Sequence, residues 1–225
     1  MKIKTIPFCS SYCNSHEKSI YLIYSLILLK SQIVSVSLIS IQNKVQKKII
    51  IITGGPGTGK TTLLNALRAK GFCCYPEISR AITLAAQKEG IEQLFLEKPL
   101  LFSELLLKGR KEQFENALME NENLVFIDRG IPDILGYMDY IGDSYPDHFE
   151  KAGQETTYSQ VFSLPPWKEI YETDEARYES FNQAQAIHQK IVTAYAKLNY
   201  DPIEVPKDTI ENRIAFLLES IQQES

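Results

Sequence analysis

Eight consecutive residues, Gly54-Gly55-Pro56-Gly57-Thr58-Gly59-Lys60-Thr61, follow the pattern G-x-x-x-x-G-K-[ST]. In this pattern glycines let the backbone curl until successive N–H groups point inward around phosphate oxygens. Gly55, Pro56, Gly57, Thr58, Gly59, Lys60, Thr61 and Thr62 are the expected lining of that cradle. Lys60 would bring a mobile positive charge to the β- and γ-phosphates, and the Thr61 hydroxyl is by type and place a magnesium ligand. A second metal-side group stands 68 residues after Lys60, where Leu124-Val125-Phe126-Ile127 ends in Asp128. A carboxylate at the end of a buried strand can hold Mg²⁺ directly or through water, although Asp also ends strands as a simple cap. ATP and Mg²⁺ are the cofactors these residues predict.

Phosphoryl transfer to a small molecule further requires a base near the acceptor hydroxyl, cations on the migrating group and a cover against water. Glu77, in Pro76-Glu77-Ile78-Ser79-Arg80, follows a short apolar run and is the candidate base, with Arg80 one helical turn away; the alternative is a Glu that caps a helix beside a solvated Arg. Arg129, directly after Asp128, is the candidate for charge neutralisation or acceptor binding. The charged stretch from Pro165 to Arg177 reads as a lid, with Arg177 its arginine unless it merely pairs with Asp174 three residues earlier. Arg110 and Gln113 fall on a long helix and are candidates to face the acceptor, although polar side chains on such a helix are mostly solvated. Cys73-Cys74 reads as a strand pair, and His16, His148 and His188 form no ligand set.

These residues are spaced by an alternation of elements. Ile49 to Thr53 is a continuous β-branched run ending in glycines, the mark of a strand covered on both faces. Helices are predicted over residues 60–70, 78–88, 100–120, 132–140, 178–198 and 209–221, and strands over 72–75, 124–127, 159–164 and 203–205. On the 100–120 helix, Leu105, Leu106, Phe114 and Leu118 are expected to form the packed face. Strands joined by helical crossovers predict one α/β domain over about residues 46–222, three-layered, with about five parallel strands flanked by helices.

The 225 residues, 44% hydrophobic and 23% charged, suffice for one substantial core. A net charge of −4 gives no broad positive field, which argues against a nucleic-acid partner, and four cysteines are too few for a disulfide scaffold, which points to reduced thiols and a cytoplasmic location. Residues 1–45 differ from the rest: they are rich in Ile, Ser, Leu and Lys, and with Gln46 carry a net +4, so that the body carries −8. Their apolar run from Ile20 to Leu29 is too short for a membrane span, and no small-x-small site follows it. The segment reads as a poorly ordered extension or as sequence upstream of the true start, with a membrane anchor the less favoured alternative.

The stretches IITGGPGTGKTTLLNAL, PEISR, VFIDRGIPDILGY and YDPIEVP, together spanning about residues 47–220, resemble the AAA-type P-loop domain grouped with NadR-type ribosylnicotinamide kinase domains. The resemblance implies a nucleoside/nucleotide-kinase-like P-loop NTPase fold and the use of ATP and Mg²⁺. It also implies phosphate contacts from Gly57 to Thr62, metal at Thr61 and Asp128, and acceptor chemistry at Glu77 and Arg129. No guanine-reading Asn/Thr-Lys-x-Asp motif follows the phosphate loop, which favours adenine or an unselective base site. A kinase of a nucleoside-like acceptor, with Lys60, Glu77, Asp128, Arg129 and Arg177 as catalytic residues, is the leading expectation; a nucleotide-dependent switch or slow NTPase acting through a protein partner is the alternative.

Overall fold

Four isoleucines in a row, Ile49 to Ile52, can be buried together only in a strand with cover on both sides. In a computed structural model, which describes residues 47–171 and 179–223, this run forms β1 (Lys48–Thr53), the middle strand of five. The others are β2 (Cys73–Tyr75), β3 (Leu124–Asp128), β4 (Gln160–Ser163) and β5 (Ile203–Glu204), in the order β2-β3-β1-β4-β5 and all parallel. Register pairs Ile50 with Phe126 on one side and with Gln160 on the other.

Side chains alternate across the sheet, so β1 feeds two cores. Ile50 and Ile52 pack with Leu63, Leu64 and Leu67 of α1 (Lys60–Ala69) and with Ile214, Leu217 and Ile221 of α8 (Ile210–Gln223). Ile49 and Ile51 face Ala117 of α4 (Pro99–Met119) and Ile187, Ile191 and Tyr195 of α7 (Phe181–Lys197). Each fully buried isoleucine contributes about 2–3 kcal/mol. A third cluster lies away from the sheet, between α4, α5 (Ile131–Ile141) and α6 (His148–Glu155), around Leu106, Ile134 and Phe149. Helices α2 (Ser79–Lys88) and α3 (Leu94–Glu97) extend it through Ala86 and Leu94.

Helix ends follow local chemistry. The α7 N-terminus is a reciprocal box in which the Ser180 hydroxyl accepts from Gln183 N–H and the Gln183 side-chain oxygen accepts from Ser180 N–H. The five predicted strands are present with ends shifted by a residue or two. The expected packed face of α4 is corrected: Leu105 and Leu118 are 39% and 53% exposed. Leu106 is buried as expected and Phe114 partly so, and Arg110, Gln113 and Ala117 are buried with them, because the helix turns its polar pair toward β2 and the β3 loop. Helices α3 and α6 were not expected from the sequence; both are short, and their cover comes from the outlying cluster. No helix among the described residues is long and apolar enough to cross a membrane. Residues 1–46, 172–178 and 224–225 lie outside the described residues.

Candidate functional site

Parallel strands place all their carboxyl ends at one edge, so the loops after β1, β2, β3 and β4 meet there. The loop after β1 is the phosphate loop, residues 54–59. Gly57 and Gly59 have φ of 70° and 84°, values that favour glycine. A Cβ on Gly57 would also lie 2.6 Å from the Tyr171 ring, which packs over the loop. The first backbone hydrogen bond of α1 runs from Leu63 N–H to the Gly59 carbonyl, so the N–H groups of Lys60, Thr61 and Thr62 precede the helical ladder at the positive end of the helix dipole.

Lys60 is buried and donates to the Gly54 carbonyl (3.0 Å), the Gly55 carbonyl (2.7 Å) and Thr58 Oγ1 (3.3 Å). Burial, aided by the charge of Arg129, pulls its pKa down to about 7, against the pull of Asp128, Asp133 and Glu77. The ammonium is thus folded back on loop carbonyls, which a polyphosphate would replace with stronger acceptors. Thr61 and Thr62 open to solvent at the mouth.

Asp128 ends β3, is 3% exposed, and its Oδ1 has no hydrogen-bond partner among the described residues. Burial raises its pKa to about 6, with Lys60 opposing. A buried carboxylate oxygen without a donor is what a hard cation satisfies, and the oxygens of Asp128 and Thr61 are the ligand type Mg²⁺ prefers.

Glu77 makes the helix-start contacts considered for it, and ion pairs besides. Its Oε1 accepts from the N–H groups of Ile78 (3.0 Å) and Ser79 (3.1 Å), capping α2. Its Oε2 lies 2.6 Å from Arg129 Nε and its Oε1 3.5 Å from an Arg110 nitrogen. Burial alone would raise its pKa, but Arg110, Arg129 and the bond from Ser79 hold it below the usual carboxylate range. Arg129, with φ 69°, is fixed by its N–H on the Ile52 carbonyl and by an ion pair to Asp133 at 2.8 Å.

Asp133 was not singled out from the sequence, and it joins the two halves of this arrangement. Its Oδ1 accepts from Thr53 Oγ1 (2.6 Å) and Arg129 (2.8 Å), and its Oδ2 from Tyr195 OH (2.6 Å) and Gly130 N–H (2.9 Å). Burial opposes its charge, yet the two arginines and the Thr53 and Tyr195 hydroxyls keep its pKa low. The signal was an acid inside the otherwise apolar run Ile131-Pro132-Asp133-Ile134-Leu135. Arg110 and Gln113, expected to be solvated, are buried: Arg110 donates to the Gly130 carbonyl (2.6 Å) and Gln113 to the Pro76 carbonyl (2.8 Å), tying the β2 and β3 loops together. Their spacing with Leu106 and Ala117, a polar pair on an apolar stripe, was the available sign.

Arg80 is exposed and pairs with nothing among the described residues. Cys73 and Cys74 are half-buried free thiols; burial pushes the Cys74 pKa up to about 11, so it is a poor nucleophile. His188 reaches the phosphate loop, its Nδ1 accepting from Gly55 N–H at 3.4 Å. Arg177 and Asp174 lie outside the described residues; the preceding turn, Lys168–Ile170, leads into Tyr171 above Gly57.

No curated protein matches the sequence. Among solved structures, the fold resembles deoxyadenosine kinase from M. mycoides, solved with dCMP and dCDP, at 14% identity and a TM-score of 0.56, covering 78% of this chain and 99% of that one. It also resembles thymidylate kinase from Candida albicans at 16% identity and a TM-score of 0.57, covering 80% and 92%. The NadR protein, solved with NR, matches at 17% identity and a TM-score of 0.63; the alignment covers 79% of this chain and about half of NadR, 51%. The fold is therefore that of nucleoside and nucleotide kinases. A family model described as an AAA domain matches residues 49–213, from β1 into α8, and the chain belongs to that family.

Proposed function

We propose that the protein is an ATP-dependent kinase that transfers the γ-phosphoryl group to a nucleoside-like small molecule. The observation that carries this reading is the meeting, at one sheet edge, of the phosphate loop, the orphaned Asp128 carboxylate and the Glu77–Arg129 pair. The acid–arginine pair beside the loop supplies an acceptor base candidate and a cation for the migrating group, which a kinase uses. The deoxyadenosine kinase and thymidylate kinase folds, and NadR with NR, support the same substrate class.

In this reading Gly55 to Thr62 hold the polyphosphate, and Lys60 moves from the Gly54 and Gly55 carbonyls to the β- and γ-phosphates. Thr61 and Asp128 hold Mg²⁺, which when bound neutralises charge between the phosphates. Arg129, oriented by Glu77 and Asp133, faces the charge that develops on the migrating group. Glu77 stays ionised at neutral pH and acts mainly by orienting the acceptor hydroxyl and accepting its proton late, as a loose transition state allows. Arg177 is assigned to the lid that excludes water. Residues 1–45 are assigned no part in the chemistry, and expression from residue 45 should leave turnover unchanged.

The test is ATP consumption with Mg²⁺ across a panel of nucleosides that includes nicotinamide riboside, scoring both ADP and phosphorylated product. One phosphorylated nucleoside per ADP is the expected result. ADP matched only by free phosphate would replace the kinase with an NTPase whose acceptor is water.

A further inference from the structure

Arg213, on α8, is one of the largest fully buried side chains, 2% exposed, and forms no ion pair with any described residue. A guanidinium offers five donors. Here one nitrogen donates to the Thr58 carbonyl at 3.3 Å, and Nε is buried without a partner. The other terminal nitrogen sits 3.2 Å from where a Cβ on Gly59 would lie. The side chain is therefore pressed against the phosphate loop, while buried Arg110 and half-buried Arg129 each reach a carboxylate.

A buried cation without a counter-charge is costly and is retained where something offsets it. The negative charge this loop is built to receive is a polyphosphate. A donor that draws the Thr58 carbonyl outward also keeps the neighbouring peptide units turned with their N–H groups inward. We infer that Arg213 is a positioning residue for nucleotide: it braces the loop through the Thr58 carbonyl, and its charge is balanced by the phosphates bound on the inner side. The inference rests on the proposal that this loop binds nucleotide. It adds a C-terminal residue, 155 positions away in sequence, to the phosphate site.

The test uses the full chain as wild type, Arg213→Met and Arg213→Lys, with calorimetric Kd for ATP, ADP and AMP in Mg²⁺ and melting of the ligand-free proteins. Arg213→Met keeps the volume and removes the charge. It should melt at or above the wild-type temperature and bind ATP and ADP at least about tenfold more weakly, as loss of a charged hydrogen-bonding group implies. AMP binding should change less. In turnover, KM for ATP should rise while KM for the acceptor holds. Arg213→Lys should recover affinity to within about threefold of wild type, since the charge remains. A lower melting temperature of Arg213→Met with ATP affinity within about twofold of wild type would make Arg213 a purely structural residue and overturn the inference. If Arg213→Met does not fold, Arg213→Lys decides, and a loss of ATP affinity of about tenfold there overturns it. Wild type that binds no nucleotide would sink the nucleotide reading itself, whereas wild-type binding matched by Arg213→Met would sink this inference alone.

Discussion

Two groups of charges meet at the carboxyl edge of the sheet, and they are built differently. On the side of β2 and β3, Glu77, Arg110, Arg129 and Asp133 form a set closed in charge: each cation reaches a carboxylate and Asp133 accepts four hydrogen bonds, although Arg110 Nε, like that of Arg213, is buried without a partner among the described residues. On the side of the phosphate loop, Lys60, Asp128 and Arg213 are buried, and none makes an ion pair among the described residues. Lys60 rests on carbonyls, Asp128 keeps an orphaned oxygen, and Arg213 leaves Nε unbonded. A closed set needs no ligand to balance its charges, so Glu77 and Arg129 are already held in place when an acceptor arrives. An open set is costly until something charged arrives, and that cost is the mark of a binding site.

Mutations on the two sides should therefore fail in opposite ways. Lys60→Ala, on the open side, should lower turnover about a thousandfold or more while the melting temperature holds or rises, because a buried ammonium pulled down to about pKa 7 is itself unfavourable. Steady-state kinetics beside thermal melting checks both halves, and full activity would remove Lys60 from the chemistry. Asp133→Asn, on the closed side, should cost about 3 kcal/mol or more in denaturant unfolding, since it leaves Arg129 under-paired and sets an amide donor against the hydroxyl of either Thr53 or Tyr195. Unchanged stability there would mean that the set is not closed. Asp128→Asn returns to the open side: turnover should drop about a hundredfold and Mg²⁺ dependence should weaken, with stability preserved or improved.

The smallest effect concerns His188, which bridges the loop and α7. Burial lowers its pKa to about 4 from an ordinary 6.5, so the neutral ring, accepting from Gly55 N–H, is the form the folded protein keeps. Its contribution is fully present above pH about 6.5 and is lost as pH falls toward about 4, where the unfolded chain takes the proton first. His188→Gln should flatten that part of the stability profile by about 1 kcal/mol, measured as urea midpoints between pH 4 and 7.

What could be read from the sequence divides along the same line. The phosphate loop is eight adjacent residues, and β1 and β3 are unbroken apolar runs, so their chemistry and period are local. Glu77, Asp128 and Arg129 followed because parallel strands deliver whatever comes after them to one edge. Asp133 and Arg110 escaped because their partners are remote: Thr53 lies 80 residues from Asp133, Tyr195 lies 62 away, and Gly130 lies 20 from Arg110. A polar side chain in a helix is assigned to water by default, and only the packed fold shows that α4 and α5 turn theirs inward. The half-right face of α4 has the same origin: period alone finds a stripe, but the buried one carries Arg110 and Gln113, while the leucines at 105 and 118 lie beside it.

The bond from Arg213 to the Thr58 carbonyl has a consequence for the order of synthesis. A ribosome delivers the phosphate loop early, together with a central strand whose flanking partners β3 and β4 are made more than seventy and a hundred residues later. The nascent chain thus carries four adjacent isoleucines and a glycine-rich loop without their cover, a segment that invites chaperone capture. Only when α8 is translated and docks does the loop gain its last brace. Nucleotide affinity of partial chains that stop short of Arg213 should accordingly stay below that of chains that include it.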